Sequence, residues 1–172
     1  MLFDLNKTVE VLERTPQILQ ELLSGVSDEW TMNNEGDDTW SSYDIVGHLI
    51  QGERTDWMRR LEIILHKGDK KFIPFDRFVQ FKESEGKKLQ QLLSEFAALR
   101  KENLQKLKNL RLTGDDLDKT GIHPEFGEVT VRQLLSTWTV HDLTHIAQIT
   151  RVMATQYKEA IGPWIKYFRV IQ

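Results

Sequence analysis

Residues 130–152 read TVRQLLSTWTVHDLTHIAQITRV, and their pattern is the clearest indication of the fold. Apolar residues recur in it at steps of three and four, which is the spacing of an amphipathic helix. Thr130 and Gln133 match the capping box that begins many helices. We therefore predict a long helix from about residue 130 to about residue 160, ended by Gly162-Pro163.

The apolar face of this helix carries two histidines. His141 and His145 are four positions apart, so they lie on one side of the helix with Cβ atoms about 6 Å apart. The face comprises Leu134, Trp138, His141, His145, Gln148, Ile149 and Val152. Two imidazoles placed in this way can bind one metal ion.

The rest of the chain shows the same helical periodicity. We predict three further helices, over roughly residues 2–24, 41–66 and 78–109. Thr15-Pro16 interrupts the first, which is either one kinked helix or two helices that meet at Thr15. Other expected features are connections over 31–40, 69–77 and 110–129, with a short helical turn at Thr113 to Asp116.

Four main helices predict an all-α fold, a four-helix bundle with at least one longer crossover connection. An irregular, orthogonal all-α packing is the alternative. The alternating pattern of a strand is nearly absent, and the length suits a single domain over residues 1–172.

Composition excludes several kinds of function. The net charge is −3 and no basic stripe is present, so we expect no nucleic-acid partner. No stretch has the apolar length of a membrane span or the pattern of a signal peptide, so we expect no membrane partner and a cytoplasmic location. The chain contains no cysteine, so any thiol used in its chemistry comes from outside.

His48 is a third histidine on an apolar face, in the second predicted helix. If that helix neighbours the last one, three imidazoles converge, and Gly52 leaves space one turn later. Three protein ligands leave a coordination position open, as in catalytic zinc sites, where the pKa of bound water falls to about 7. The alternative is three core histidines with satisfied hydrogen bonds.

The chain resembles the DinB-like (DinB/YfiT-like) superfamily of metalloenzymes over nearly its whole length. The most specific segments are FDRFVQFKESEGKKLQQLLSEFAALR and HPEFGEVTVRQLLSTWTVHDLTHIAQITRVMA. The resemblance implies a four-helix bundle with three histidine ligands. By position, His48 matches the histidine in the family pattern W-S-x-x-[DE]-[IV]-x-x-H-[LI]. His141 and His145 match the pair in H-D-x-x-H-x-x-Q.

Members of this family include thiol-dependent S-transferases and an isomerase, and this variant is similar to a subgroup of unknown activity. The resemblance thus implies a metal-dependent S-transferase or hydrolase that activates a thiol or water against a small electrophilic substrate. We expect zinc or nickel, with manganese or iron as alternatives, an external low-molecular-weight thiol as a further cofactor, and a homodimer. A non-catalytic bundle that binds a metal or a partner is the competing hypothesis.

Several other residues have two interpretations each. Asp44 either caps the second helix or orients the His48 ring, and capping is favoured. Glu53 points about 140° away from His48 and is a weak general-base candidate. Gln148 is expected to line the pocket, and Trp138 to pack in the core.

The remaining candidates lie outside the histidine faces. His123 precedes Pro124 in a loop that either forms a structural turn or reaches over the mouth of the bundle. His66 ends a helix, where a charged imidazole is favourable. Trp164, Tyr167 and Phe168 form an aromatic tail that either folds back or makes a dimer surface.

Overall fold

A computed structural model describes residues 2–171, which fold into helices with one small β-hairpin. The helices are α1 Leu5–Leu23, α2 Asp28–Met32, α3 Ser42–Thr55, α4 Trp57–Leu65, α5 Val79–Ser84, α6 Leu89–Asn109, α7 Gly114–Leu117 and α8 Val131–Thr155. The strands are β1 Thr120–His123 and β2 Gly127–Thr130. Two 3₁₀ turns, Gly162–Tyr167 and Arg169–Ile171, follow α8.

The long helices α1, α3, α6 and α8 form the predicted four-helix bundle. Both α1 and α3 pack against α6 and α8, so α1 and α3 lie diagonally opposite each other. The chain must therefore cross over the bundle between α1 and α3, and again between α6 and α8. The expected all-α fold with a longer crossover is confirmed. The single domain over 1–172 stays a prediction, and Met1 and Gln172 lie outside the described residues.

Pro16 lies inside α1, which is one continuous helix, so the alternative of two helices meeting at Thr15 is wrong. A proline has no backbone N–H to donate to the carbonyl four residues earlier. Here that carbonyl belongs to Leu12, and it accepts a hydrogen bond from Arg100 Nη1 at 2.8 Å instead. The proline thus frees a buried acceptor that a side chain of α6 uses.

Two of the predicted helices are broken in the structure. The helix predicted over 41–66 divides at Asp56, where φ is −112° and ψ is −76°, into α3 and α4. The helix predicted over 78–109 divides into α5 and α6 around Gly86, whose φ of +74° favours glycine. The Tyr43 hydroxyl stabilises this second break, because it lies 2.8 Å from the carbonyl oxygen of Lys87.

The segment predicted as a loop between α7 and α8 contains an antiparallel hairpin. Thr120 pairs with Thr130, and His123 pairs with Gly127. Gly121 is required there, because a Cβ atom would lie 2.5 Å from the Phe72 ring. Strands of four residues are too short for alternation to reveal them.

The two ends of α8 differ in how well the sequence predicts them. The Thr130–Gln133 capping box is present, whereas the helix ends at Thr155, earlier than predicted. The tail folds back so that Ile171 is buried, while Trp164 and Tyr167 remain 63% and 77% exposed. None of the helices in the described part of the chain has the length and apolar character needed to cross a membrane.

A buried guanidinium holds the bundle together at its centre. Arg100 of α6 is 1% exposed and uses all five of its N–H donors. Two go to Glu53 of α3 at 3.0 and 2.8 Å, two to Asp142 of α8 at 2.6 and 3.0 Å, and one to the Leu12 carbonyl of α1. Asn103 and Trp138 also donate to Glu53, at 2.9 and 3.1 Å.

We predict that Arg100→Met strongly destabilises the fold. The substitution leaves two buried carboxylates without their cation, and breaking such a pair costs about 3–5 kcal/mol. Urea unfolding followed by circular dichroism measures the free energy of unfolding. The control is Lys101→Met, an exposed neighbour on the same helix, which should change it by less than about 0.5 kcal/mol. Equal effects of the two substitutions would contradict the role given to Arg100.

Candidate metal centre

Three histidines from two helices meet at one point of the bundle. His48 comes from α3, and His141 and His145 come from α8. His141 Nε2 lies 3.0 Å from His48 Nε2 and 3.1 Å from His145 Nε2. One nitrogen from each of the three rings lies within 4.8 Å of the others. The convergence expected from the sequence is present in the fold, and the role of these residues as metal ligands stays a prediction.

Hydrogen bonds between the three rings cannot account for all the short nitrogen–nitrogen contacts of this cluster. His141 Nε2 carries either a proton or a single in-plane lone pair, so only one of its two short contacts can be an N–H···N hydrogen bond. His145 Nδ1 lies 2.8 Å from Gln148 Oε1, and donation to that oxygen leaves the His145 Nε2 lone pair pointing at the other rings. A cation at the centre would accept lone pairs from all three nitrogens.

The spacing of the nitrogens fits a divalent ion. Two nitrogens that are each about 2.1 Å from one ion, with an angle of about 90–110° between them, lie about 3.0–3.4 Å apart. The two measured separations, 3.0 and 3.1 Å, fall in this range. Within residues 2–171, the Nδ1 atoms of His48 and His141 find no hydrogen-bond partner, so each can hold its ring proton while Nε2 stays free to bind.

The electrostatic surroundings keep the three rings neutral, the form that binds metals. Burial lowers the pKa of His48 to about 3, with smaller contributions from the charges of His145 and Arg77. Burial also lowers the pKa of His141 to about 2, with contributions from His145, His48 and Arg100. The pKa of His145 is lowered by burial as well. Protons therefore compete weakly with a metal ion at neutral pH.

Aromatic rings fix the orientation of the imidazoles. Trp40 packs against the His48 ring with centroids 4.9 Å apart, and Phe75 meets the same ring edge-on at 5.5 Å. Trp57 meets the His141 ring edge-on at 4.9 Å. Gly52 makes room for Trp57, because a Cβ atom there would lie 3.1 Å from the Trp57 indole nitrogen. The space that Gly52 leaves is thus partly filled by tryptophan.

The structure also shows where the other residues named in the sequence analysis lie. Asp44 caps α3 by accepting from Ser41 N at 2.9 Å, as favoured, and Gln148 lines the cavity, as expected. Glu53 and Trp138 are buried in the core, 4% and 1% exposed.

The two outlying histidines have structural positions. His123 Nδ1 accepts backbone N–H groups of the hairpin turn, so the turn interpretation holds. His66 is exposed at the end of α4.

A cavity of about 970 Å³ opens onto the three histidines. Its aromatic lining consists of Trp40, Trp57, Phe75, Phe78 and Phe81. Its charged lining consists of Glu35, Asp38, Asp56, Arg60, Arg77 and Arg151. The histidine cluster is therefore accessible to a small molecule.

Asp56 is a cavity residue that the sequence did not reveal. It lies at the break between α3 and α4, is 8% exposed, and its Oδ1 is 2.5 Å from Arg60 Nε. Burial raises the pKa of Asp56 to about 6, although the charge of Arg60 opposes this shift. A carboxylate whose pKa lies near neutrality can accept and return a proton. The sequence signal was weak: Asp56 follows His48 by two steps of four, with Gly52 between them.

These features define a class: a helical bundle with crossover connections and a candidate three-histidine metal centre at the base of an open cavity. The chain belongs to the DinB superfamily, whose profile matches residues 11–149. It is similar in fold to YfiT from Bacillus subtilis, with a TM-score of 0.74, 20% sequence identity, and coverage of 90% of this chain and 87% of that one. YfiT is described as a probable metal-dependent hydrolase with an unusual four-helix bundle topology. No curated protein matches the chain significantly.

We predict that the protein binds about one equivalent of zinc or nickel through the three histidines. Alanine in place of His48, His141 or His145 should weaken binding at least about 100-fold, because two imidazoles hold a divalent ion poorly. Metal-free protein titrated by calorimetry gives the affinity. The control His66→Ala removes an exposed histidine outside the cluster and should bind as the parent protein does. Unchanged affinity in all three cluster variants would contradict the site.

We also predict that Asp56→Asn stabilises the fold at neutral pH. The pKa of Asp56 is about 6 in the folded protein against 3.8 for an ordinary aspartate, so the folded state holds the proton more tightly. Stability therefore falls as the pH rises from about 4 to above about 6, and asparagine escapes this loss. The gain should be on the order of 1–3 kcal/mol at about pH 7.5, and smaller at about pH 4.

Urea unfolding at both pH values measures this gain. Asp37→Asn is the control, since Asp37 is exposed and makes no ion pair in the part of the chain described. A gain that is equal at the two pH values, or a loss at the higher one, would contradict the burial argument.

Proposed function

We propose that the protein is a metal-dependent enzyme that activates water, or an external thiol, against a small electrophilic substrate. Hydrolysis is the leading reaction, and transfer to a thiol is the alternative within the same chemistry. The observation that carries the proposal is the convergence of three imidazole nitrogens at the base of an open cavity. A divalent ion bound there would lower the pKa of water or a thiol towards neutrality and polarise an electrophile.

The arrangement of the ligands supports catalysis over a purely structural metal. Structural zinc sites are closed by four protein ligands, often cysteines. Within residues 2–171, the cluster offers three histidines and no fourth ligand. All three histidines line the cavity. Space for a substrate therefore adjoins the residues that would hold the ion.

The residues around the cluster have distinct parts in this proposal. Gln148 fixes the His145 ring through its contact with Nδ1, and Trp40 and Trp57 hold His48 and His141 by packing. Asp56 accepts a proton at its carboxylate when the nucleophile is deprotonated. Arg60 keeps that carboxylate in place at the wall of the cavity. The core cluster around Arg100 has no access to the cavity and takes no part in the chemistry.

The identity of the nucleophile and of the metal depends on chemistry outside the chain. The protein has no cysteine, so a thiol has to be a separate small molecule of the bacillithiol, mycothiol or glutathione type. Imidazole ligands suit zinc, nickel, manganese and iron(II) alike. We propose zinc or nickel first. The homodimer and the cytoplasmic location expected from the sequence stay predictions.

We predict saturable, metal-dependent turnover by the loaded protein. Hydrolysis of p-nitrophenyl acetate, and conjugation of 1-chloro-2,4-dinitrobenzene to each thiol, test the two nucleophiles separately. His141→Ala should lower kcat/KM at least about 100-fold, while Asp56→Asn should lower kcat and remove the fall in rate below about pH 6. His66→Ala is the control and should behave as the parent protein. Circular dichroism checks that each variant remains folded.

The competing hypothesis is a non-catalytic bundle that binds a metal or a partner. It predicts that loaded and metal-free protein accelerate none of these reactions above the rate in buffer. Equal rates for the parent protein and His141→Ala would likewise reject an enzymatic role for the cluster.

A further inference from the structure

Three arginines line the cavity, and two of them are already paired with carboxylates. Arg60 Nε lies 2.5 Å from Asp56 Oδ1, and Arg151 Nη2 lies 2.8 Å from Glu35 Oε2. Arg77 differs from both, because no carboxylate in the described part of the chain forms an ion pair with it. Among residues 2–171, Arg77 is thus the one arginine of the cavity lining without a carboxylate at ion-pair distance.

Arg77 lies close to the histidine cluster. It belongs to the connection between α4 and α5, with its guanidinium carbon 5.3 Å from the centre of the Phe78 ring. Arg77 and His48 both line the cavity, and Phe75 of the same connection meets the His48 ring edge-on at 5.5 Å. A guanidinium stays protonated and binds oxyanions through two parallel N–H donors.

The wall next to Arg77 is aromatic and open to solvent. Phe78 and Phe81 are 62% and 42% exposed, and their rings stack with centroids 6.5 Å apart. Trp40 meets Phe81 edge-on at 6.4 Å and continues the wall to His48. Exposed aromatic rings gathered on one concave surface are typical of sites that bind flat, apolar ligands.

We propose that the cavity binds small molecules that join an oxyanion, such as a carboxylate, to a flat apolar body. The oxyanion pairs with Arg77, and the apolar body lies against Trp40, Phe78 and Phe81. A ligand held in this way extends towards the three histidines, where its reactive group would meet the nucleophile. The assignment names the substrate class of the proposed enzyme, and in that respect it rests on the proposed function.

Two probes of the same shape and different charge test the assignment. 2-Naphthoate carries the oxyanion, and 2-naphthamide replaces it with a neutral amide. Dissociation constants come from ligand-observed NMR titrations of metal-free and zinc-loaded protein. Naphthoate should bind at least about tenfold more tightly than naphthamide in both forms, since a hydrogen bond between charged groups is stronger than one to a neutral amide.

Variants of two exposed arginines make the test specific. Arg77→Gln should reduce naphthoate binding to the level of naphthamide and leave naphthamide binding unchanged. The control Arg59→Gln removes an exposed guanidinium of α4 that does not line the cavity, and it should keep the full preference. Circular dichroism confirms the fold of each variant.

The outcomes separate this assignment from the proposed function. Equal binding of the two probes, or a preference that survives Arg77→Gln, would overturn the assignment. A preference seen only in zinc-loaded protein would overturn it too, because the carboxylate would then be binding the metal. If the preference is present but the histidines bind no metal, the assignment stands and the metal-dependent function fails.

Discussion

The guanidinium of Arg100 joins the two helices that carry the three histidines. It binds Glu53 on α3, five residues after His48, and Asp142 on α8, directly after His141. A charge this deeply buried persists only if every donor finds an acceptor, and here all five do. Because the pairing fixes α3 against α8, it also fixes the spacing of the imidazoles. The positions of the three histidines therefore depend on the ion pairs that Arg100 forms in the bundle core.

The buried ion cluster of Arg100, Glu53 and Asp142 also acts on the electrostatics of the candidate metal centre. Besides burial, the charge of Arg100 contributes to the lowered pKa of His141, whereas the charge of Asp142 acts to raise the pKa of His145. Burial raises the pKa of Glu53, whereas Arg100 and Asn103 oppose that shift by donating to its carboxylate. The pKa of Glu53 is raised on balance, because burial is the largest of these effects.

Periodicity in the sequence predicted the parts of this structure that repeat with the helix. The four bundle helices, the capping by Asp44 and by the Thr130 box, and the shared faces of the three histidines all follow from spacing. The break at Asp56 was not predictable, because the apolar pattern continues on both sides of it. The burial of Arg100 was not predictable either, because it lies in a run of alternating charges that is typical of a solvated face. Its burial depends on partners 42 and 47 residues away, which no local pattern contains.

We propose that His48, His141 and His145 together hold one divalent ion with an open side towards the cavity. Anomalous X-ray diffraction from crystals of the zinc-loaded protein, collected on both sides of the zinc absorption edge, tests it directly. We expect one strong peak about 2.0–2.1 Å from a nitrogen of each of the three rings, with non-protein density on the cavity side. A peak bound elsewhere, or ordered imidazoles with no peak between them, would contradict it.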